Sequence, residues 1–197
     1  MTDDWRITNH SPQVALQLAQ QWAVAARAQA RRVQDPQHAS ERVPDTYLLV
    51  MALQQVLTAA QMAKRTMTSS AAKADVQRAI GTFFDEIVVS TTETQHAEAL
   101  TLARDVLVHF DKYLTGTGLR QRRNRTADPA KTGEELAQDY RIDFDPPADR
   151  PRLRVGLRPA PARVTIDLVT TAPDAASRLA DAIGTAITRG QSSAEHE

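Results

Sequence analysis

The chain has 197 residues, with 24 Lys+Arg balanced by 24 Asp+Glu, 42% hydrophobic residues, 5% aromatics and no cysteine. That length and apolar share allow one or two small domains with a packed core and exclude a wholly disordered chain. The missing cysteines exclude a disulfide framework and thiolate chemistry, and zero net charge argues against coating nucleic acid or a membrane with the whole surface. The opening MTDDWRITNH is polar and acidic, unlike a signal peptide, and the longest apolar run, Tyr47 to Leu53, is too short to span a bilayer. The expected setting is therefore cytoplasmic, with no membrane contact.

Helical spacing dominates residues 11 to 116. Ser11-Pro12 is a start signal, a hydroxyl cap followed by proline where its missing N–H costs nothing. Val14, Leu18, Trp22 and Ala25 then mark the expected apolar face, and the helix should fade near Val33, before Asp35-Pro36. A second helix opens near Pro44-Asp45. Its early turns are apolar almost all round (Leu48, Leu49, Val50, Met51, Leu53), which predicts a central position. A third, from Ser70, carries Val76, Ile80, Phe83 and Ile87. After a threonine-rich interruption, where Ser90 with Glu93 or Thr92 with Gln95 could form a capping box, a fourth carries Leu100, Ala103, Leu107, Phe110 and Leu114 and stops at Gly116.

Residues 117 to 132 lack apolar periodicity and set Arg120, Arg122, Arg123, Arg125 and Lys131 against one acid, Asp128, as expected for a mobile basic linker. A period of two then replaces the helical one. Tyr140, Ile142 and Phe144 form one half-buried strand, Leu153, Val155 and Leu157 a second, and Val164, Ile166 and Leu168 a third. A meander with turn centres near 148.5 and 160.5 would set Asp143 opposite Arg154 and Arg154 opposite Asp167. Pro173-Asp174 opens a last helix with Leu179, Ile183 and Ile187, suited to covering the sheet.

These signals predict an α+β chain: an N-terminal four-helix antiparallel bundle (1–116), a basic linker (117–132), a β-β-β-α module (133–190) with a small three-stranded antiparallel sheet covered by a C-terminal helix, and a disordered tail (191–197). The charge total hides an uneven distribution. The helical part holds 11 basic and 12 acidic residues, the linker five and one, and the remainder eight and 11. Neutrality thus leaves room for a local phosphate-binding site at Arg120, Arg122, Arg123 and Arg125, although no aromatic is interleaved there for base stacking.

One short motif bears on chemistry. Arg104-Asp-Val-Leu-Val-His109, on the fourth helix, resembles the arginine–polar–three residues–histidine signature of the HEPN superfamily, helical-bundle proteins that are often dimeric and often metal-independent ribonucleases. Asp105 stands where that family most often has asparagine. The resemblance implies His109 as acid/base, Arg104 as stabiliser of charge on the scissile phosphate and Asp105 as the residue orienting His109, with RNA or a nucleotide as ligand, a homodimer as the assembly, and no metal or cofactor. On one regular helix Arg104 and His109 fall about 140° apart, so a single helix cannot aim both at one phosphate. A dimer could bring copies together. A plainer account pairs Arg104 with Asp111 and Asp105 with His109 on a solvated face, and makes the bundle a non-enzymatic scaffold for dimerisation or partner binding.

Glu93 and His96 have the Glu-x-x-His spacing of carboxylate-bridged di-iron sites, but no second copy and no further inward carboxylates accompany them, so no metal site is expected. Walker A, Gly-x-Gly-x-x-Gly, Gly-x-Ser-x-Gly and His-Glu-x-x-His motifs are absent. Kinase, dehydrogenase and serine- or zinc-hydrolase readings have no support.

Overall fold

The computed structural model describes residues 11–89, 93–114, 117, 119–130, 140–145, 150–156 and 163–194, most of them helical. In chain order these form α1 (Pro12–Gln34), a 3-10 turn (Pro36–Glu41), α2 (Arg42–Thr66), α3 (Ser70–Ile87), β1 (Val88–Val89), α4 (Glu93–Val108), α5 (Phe110–Leu114), α6 (Leu119–Ala127), β2 (Tyr140–Asp145), β3 (Arg150–Gly156), β4 (Arg163–Asp167) and α7 (Ala172–Ala194). The first three helices begin and end close to the predicted places. The Ser11 hydroxyl accepts the Val14 N–H at 3.2 Å and Ser69 accepts that of Ala72 at 3.3 Å, each satisfying a donor that the helix itself leaves open. The proposed capping box and the Gly116 stop lie outside the described residues.

Arg32 fixes the α1–α2 hairpin. Its Nε donates to both oxygens of Asp45, at 3.2 and 3.3 Å, and its Nη2 donates to Glu41 at 2.7 Å. Asp45 is buried, and its hydrogen bond and charge hold the guanidinium pKa above its ordinary value. The buried side of α1 is not the predicted one. It consists of Ala15, Ala19, Ala23, Ala26, Ala30 and Val33, whereas Leu18 and Trp22 face outward at 36% and 38% exposure. Small side chains let α1 lie close against α2 and α7, its two main neighbours. As predicted, α2 is central, with Leu49, Val50, Leu53, Val56, Leu57, Ala60 and Ala63 buried, although Leu48 and Met51 are about half exposed.

The predicted fold class needs correction at the C-terminus. There is no separate three-stranded sheet under a covering helix. The last helix, α7, packs against α3, α1 and α2 and is a long member of the helical layer, the place expected for α4. Its apolar arc, Ala172, Ala175, Ala176, Leu179, Ala180, Ile183 and Ala186, is mostly alanine and suits helix–helix contact. A Cβ added at Gly184 would sit 3.6 Å from a methyl of Leu16, so α1 and α7 meet there at van der Waals distance. Ion pairs fix the register: Arg178 with Glu86 of α3 at 2.6 Å, Arg27 of α1 with Asp174 at 3.3 Å, and Arg189 with Asp75 of α3 at 3.4 Å.

Asp75 also accepts from Arg78 at 2.8 Å, and that hydrogen bond, opposed by desolvation and helped by Arg189, holds its carboxyl below the usual pKa. A depressed carboxylate stabilises the fold above its unfolded pKa and loses that contribution as pH falls through the folded one. Asp75→Asn is therefore expected to lower Tm modestly at neutral pH, with the gap to wild type closing below about pH 4. Thermal melts across pH check this, and a gap that persists unchanged into acid contradicts it.

The sheet has four antiparallel strands in the order β1-β4-β3-β2. Its extra edge is Val88–Val89, which pairs with Ile166 and Thr165 at the end of α3. The sheet is thus stitched into the helical part, and its main helical neighbour is α4, not α7. Its register also differs from the expected one. Arg152, not Arg154, lies opposite both Asp143 and Asp167, while Arg154 lies opposite Arg141 and Thr165. Each turn is centred one residue earlier than predicted, which moves the pairing by two residues and keeps each position on its face.

Within the segment expected as a basic linker, residues 119–127 form helix α6. The nine-residue helix is very polar and is not part of the main helical packing.

Candidate functional site

The helix carrying the motif breaks at its histidine. The His109 N–H still bonds the Asp105 carbonyl at 3.1 Å, but the next turn closes on His109, whose carbonyl accepts from Lys112 and Tyr113 at 3.0 and 3.1 Å. The Val108 carbonyl, which Lys112 would serve in a regular helix, instead accepts the side-chain amide of Gln54 on α2 at 2.9 Å. The ring of Tyr47, also on α2, lies 6.0 Å from that of buried Phe110. Gln54 and Tyr47 are thus what seats the break against α2. A glutamine seven residues after a tyrosine gives no sequence signal for this.

The three motif residues do not converge. Arg104 is exposed and its guanidinium sits 5.5 Å over the ring of Phe84 on α3. Asp105 is half-buried and accepts a hydrogen bond from the hydroxyl of Tyr113, a buried residue beyond the break. Tyr113 can reach it because helical side chains lean toward the N-terminus. His109 is half-buried. Asp105 is held by Tyr113 and makes no side-chain hydrogen bond to His109 among the described residues. The Asp111 side chain lies outside the described residues, so the Arg104–Asp111 pair does too. Arg104 is directed at α3, while the backbone before His109 is held by α2. Among the described residues of one chain, that leaves the imidazole beside a helix break with no guanidinium aimed at it.

Helix α6 offers a different arrangement. Arg122, Arg123 and Arg125 are exposed and have no carboxylate partner among the described residues. By contrast Arg27, Arg32, Arg78, Arg178 and Arg189 each hold an aspartate or glutamate. Arg122 and Arg123, with Thr126 and Ala127, line a shallow recess on the helix. The Arg120 side chain lies outside the described ones. Successive positions turn by about 100°, so the four arginines are spread round the helix and not confined to one stripe. Such a helix can contact phosphates on more than one side.

Among the described residues no group of three or more His, Asp or Glu is placed to hold a metal ion. The Glu93 and His96 side chains lie outside the described residues. No described helix is long and apolar enough to cross a membrane. Comparison with protein-family models, with curated proteins and with solved structures gave no match. The HEPN resemblance therefore rests on RDVLVH and its helical setting alone.

Proposed function

We propose that this protein binds RNA or another phosphate-rich nucleotide ligand through helix α6, which follows the Arg104–His109 segment and α5 in sequence, as a HEPN-like helical protein would. The observation that carries the reading is the group of exposed arginines, Arg122, Arg123 and Arg125, without carboxylate partners among the described residues. Free guanidinium groups on one short helix neutralise phosphates and release their counterions, which supplies affinity without sequence preference. Phosphate cleavage by His109 is the sharper form of the proposal. It requires Arg104 to leave Phe84, or a second chain to bring its own arginine to His109, and a homodimer would provide the latter.

The engagement of Arg104 with Phe84 and of Asp105 with Tyr113 favours the second reading, in which the motif is structural and the protein is a non-enzymatic scaffold. One set of assays separates them. Fluorescence anisotropy with a single-stranded RNA should show binding that the Arg122→Ala/Arg123→Ala/Arg125→Ala variant weakens at least tenfold. Cleavage of the same RNA, without divalent metal, should disappear in His109→Ala if the histidine is catalytic. Binding with no cleavage keeps the RNA-binding reading and removes the nuclease. Equal binding by wild type and the triple variant removes the assignment to α6.

A further inference from the structure

The large apolar side chains exposed among the described residues all lie on α1 and α2. Leu18 and Trp22 stand one turn apart on α1, and Tyr47, Leu48 and Met51 stand on α2, between 36% and 49% exposed. On α1 the row through Leu18 and Trp22 continues to Arg32, which holds Asp45 of α2, so that row borders α2. On α2 Leu48 and Met51 flank the buried positions Asp45 and Ala52. The Arg32–Asp45 pair also sets the two helices level, placing Trp22 beside Gln55, one turn beyond Met51. The side chains therefore belong to one face of the hairpin.

Charge is missing from the part of that face that carries these side chains, away from the Arg32 end. Pro12 to Ala26 and Thr46 to Ala63 contain no Asp, Glu, Lys or Arg, in a chain that is 24% charged. The outer surface of α3 and α7 is the reverse, with Arg78, Glu86, Asp174, Arg178 and Arg189 in ion pairs. The buried sides of both stretches account for part of that depletion, and Tyr47 at the edge of the face also meets Phe110, but the exposed Leu18, Trp22, Leu48 and Met51 with no charge among them have the composition of an interface core. The two stretches are each about 20–27 Å long and lie side by side. That gives an area of the same order as the ~800 Å² per partner that a stable complex buries.

We propose that this face of the α1–α2 hairpin docks against the same face of a second copy of the chain. Electrostatics selects the occupant. A charged partner surface would be desolvated here with nothing to pair it, which is costly. An uncharged face meeting itself about a two-fold axis leaves no charge unpaired, and a chain of zero net charge adds no long-range repulsion. The inference does not depend on RNA binding, and a dimer without any RNA affinity would leave it intact.

Sedimentation equilibrium of the full chain tests it. Wild type should show a concentration-dependent monomer–dimer equilibrium, and Trp22→Glu with Met51→Glu should raise the dimer Kd by at least ~30-fold. Both positions are exposed, so the variants should keep wild-type circular dichroism. If the glutamates nevertheless unfold the chain, Leu18→Gln with Met51→Gln provides a milder version of the same test. Thr185→Glu, on the exposed side of α7, should leave the Kd unchanged. In a Trp5→Phe background the emission of Trp22 should shift to the blue as concentration rises. A monomer at every attainable concentration, or a dimer whose Kd ignores the substitutions at 18, 22 and 51, would overturn the proposal.

Discussion

Replacing Ala26 by leucine is expected to destabilise the protein by about 1–3 kcal/mol, whereas replacing Trp22 by glutamine should cost less than about 1 kcal/mol. The usual ranking of an alanine and a tryptophan is reversed because of where each points. Ala26 is fully buried on the alanine face of α1, where three added carbons must displace a neighbouring helix. Trp22 keeps 38% of its surface and its loss opens no closed cavity. Urea melts of the two variants, at a concentration where self-association is equal, give the comparison. If Trp22→Gln were the more damaging change in the monomer, the assigned face of α1 would be wrong.

Phe84→Ala should cost about 3–5 kcal/mol, the range for truncating a buried aromatic. Phe84 is 2% exposed and meets Phe83 edge-on, with ring centres 5.2 Å apart and planes at 86°. It also carries the Arg104 guanidinium. An exposed cation over a ring contributes about 0.5–1 kcal/mol. Arg104→Ala should therefore cost that much in wild type and nothing in the Phe84→Ala background. A double-mutant cycle isolates the coupling. Zero coupling would free Arg104 from its structural role and strengthen the case for a phosphate contact.

Those two results bear on what can be read from sequence. The first helix ends were readable because Ser11-Pro12 and Asp35-Pro36 mark them by local chemistry that the fold does not override. The buried face of α1 was not. A pattern built on the largest apolar residues selects Leu18 and Trp22, but close helix packing selects small ones, and both sets are spaced three and four apart. In α3, where Val76, Ile80, Phe83 and Ile87 are all buried, size and position agree and the sequence pattern names the core directly.

The C-terminal region failed for a different reason. Val88–Val89 is too short to show alternation, so the strand that ties the sheet to α3 has no signature of its own. Without it, residues 133–190 look self-contained, and α7 is assigned to the nearest apolar surface. The cross-strand pattern of one arginine between two aspartates was recognisable, but proline-rich turns do not fix register. The arginine is Arg152. In the basic segment, charge obscured helix α6, because arginine is a good helix former even without an apolar stripe. At the motif, the 140° separation was foreseeable from helical geometry. The break at His109 was not, because it depends on Gln54, 54 residues away from Val108 in sequence.

The central claim is that α6 supplies phosphate contacts, and the salt dependence of RNA affinity tests it most directly. Each phosphate neutralised on a single strand contributes about 0.7 to the slope of log Kobs against log salt. Measured with one RNA over a range of salt, the slope should be shallower by about 2 in the Arg122→Ala/Arg123→Ala/Arg125→Ala variant than in wild type. Parallel slopes for the two proteins, or no measurable binding by wild type at low salt, would contradict it.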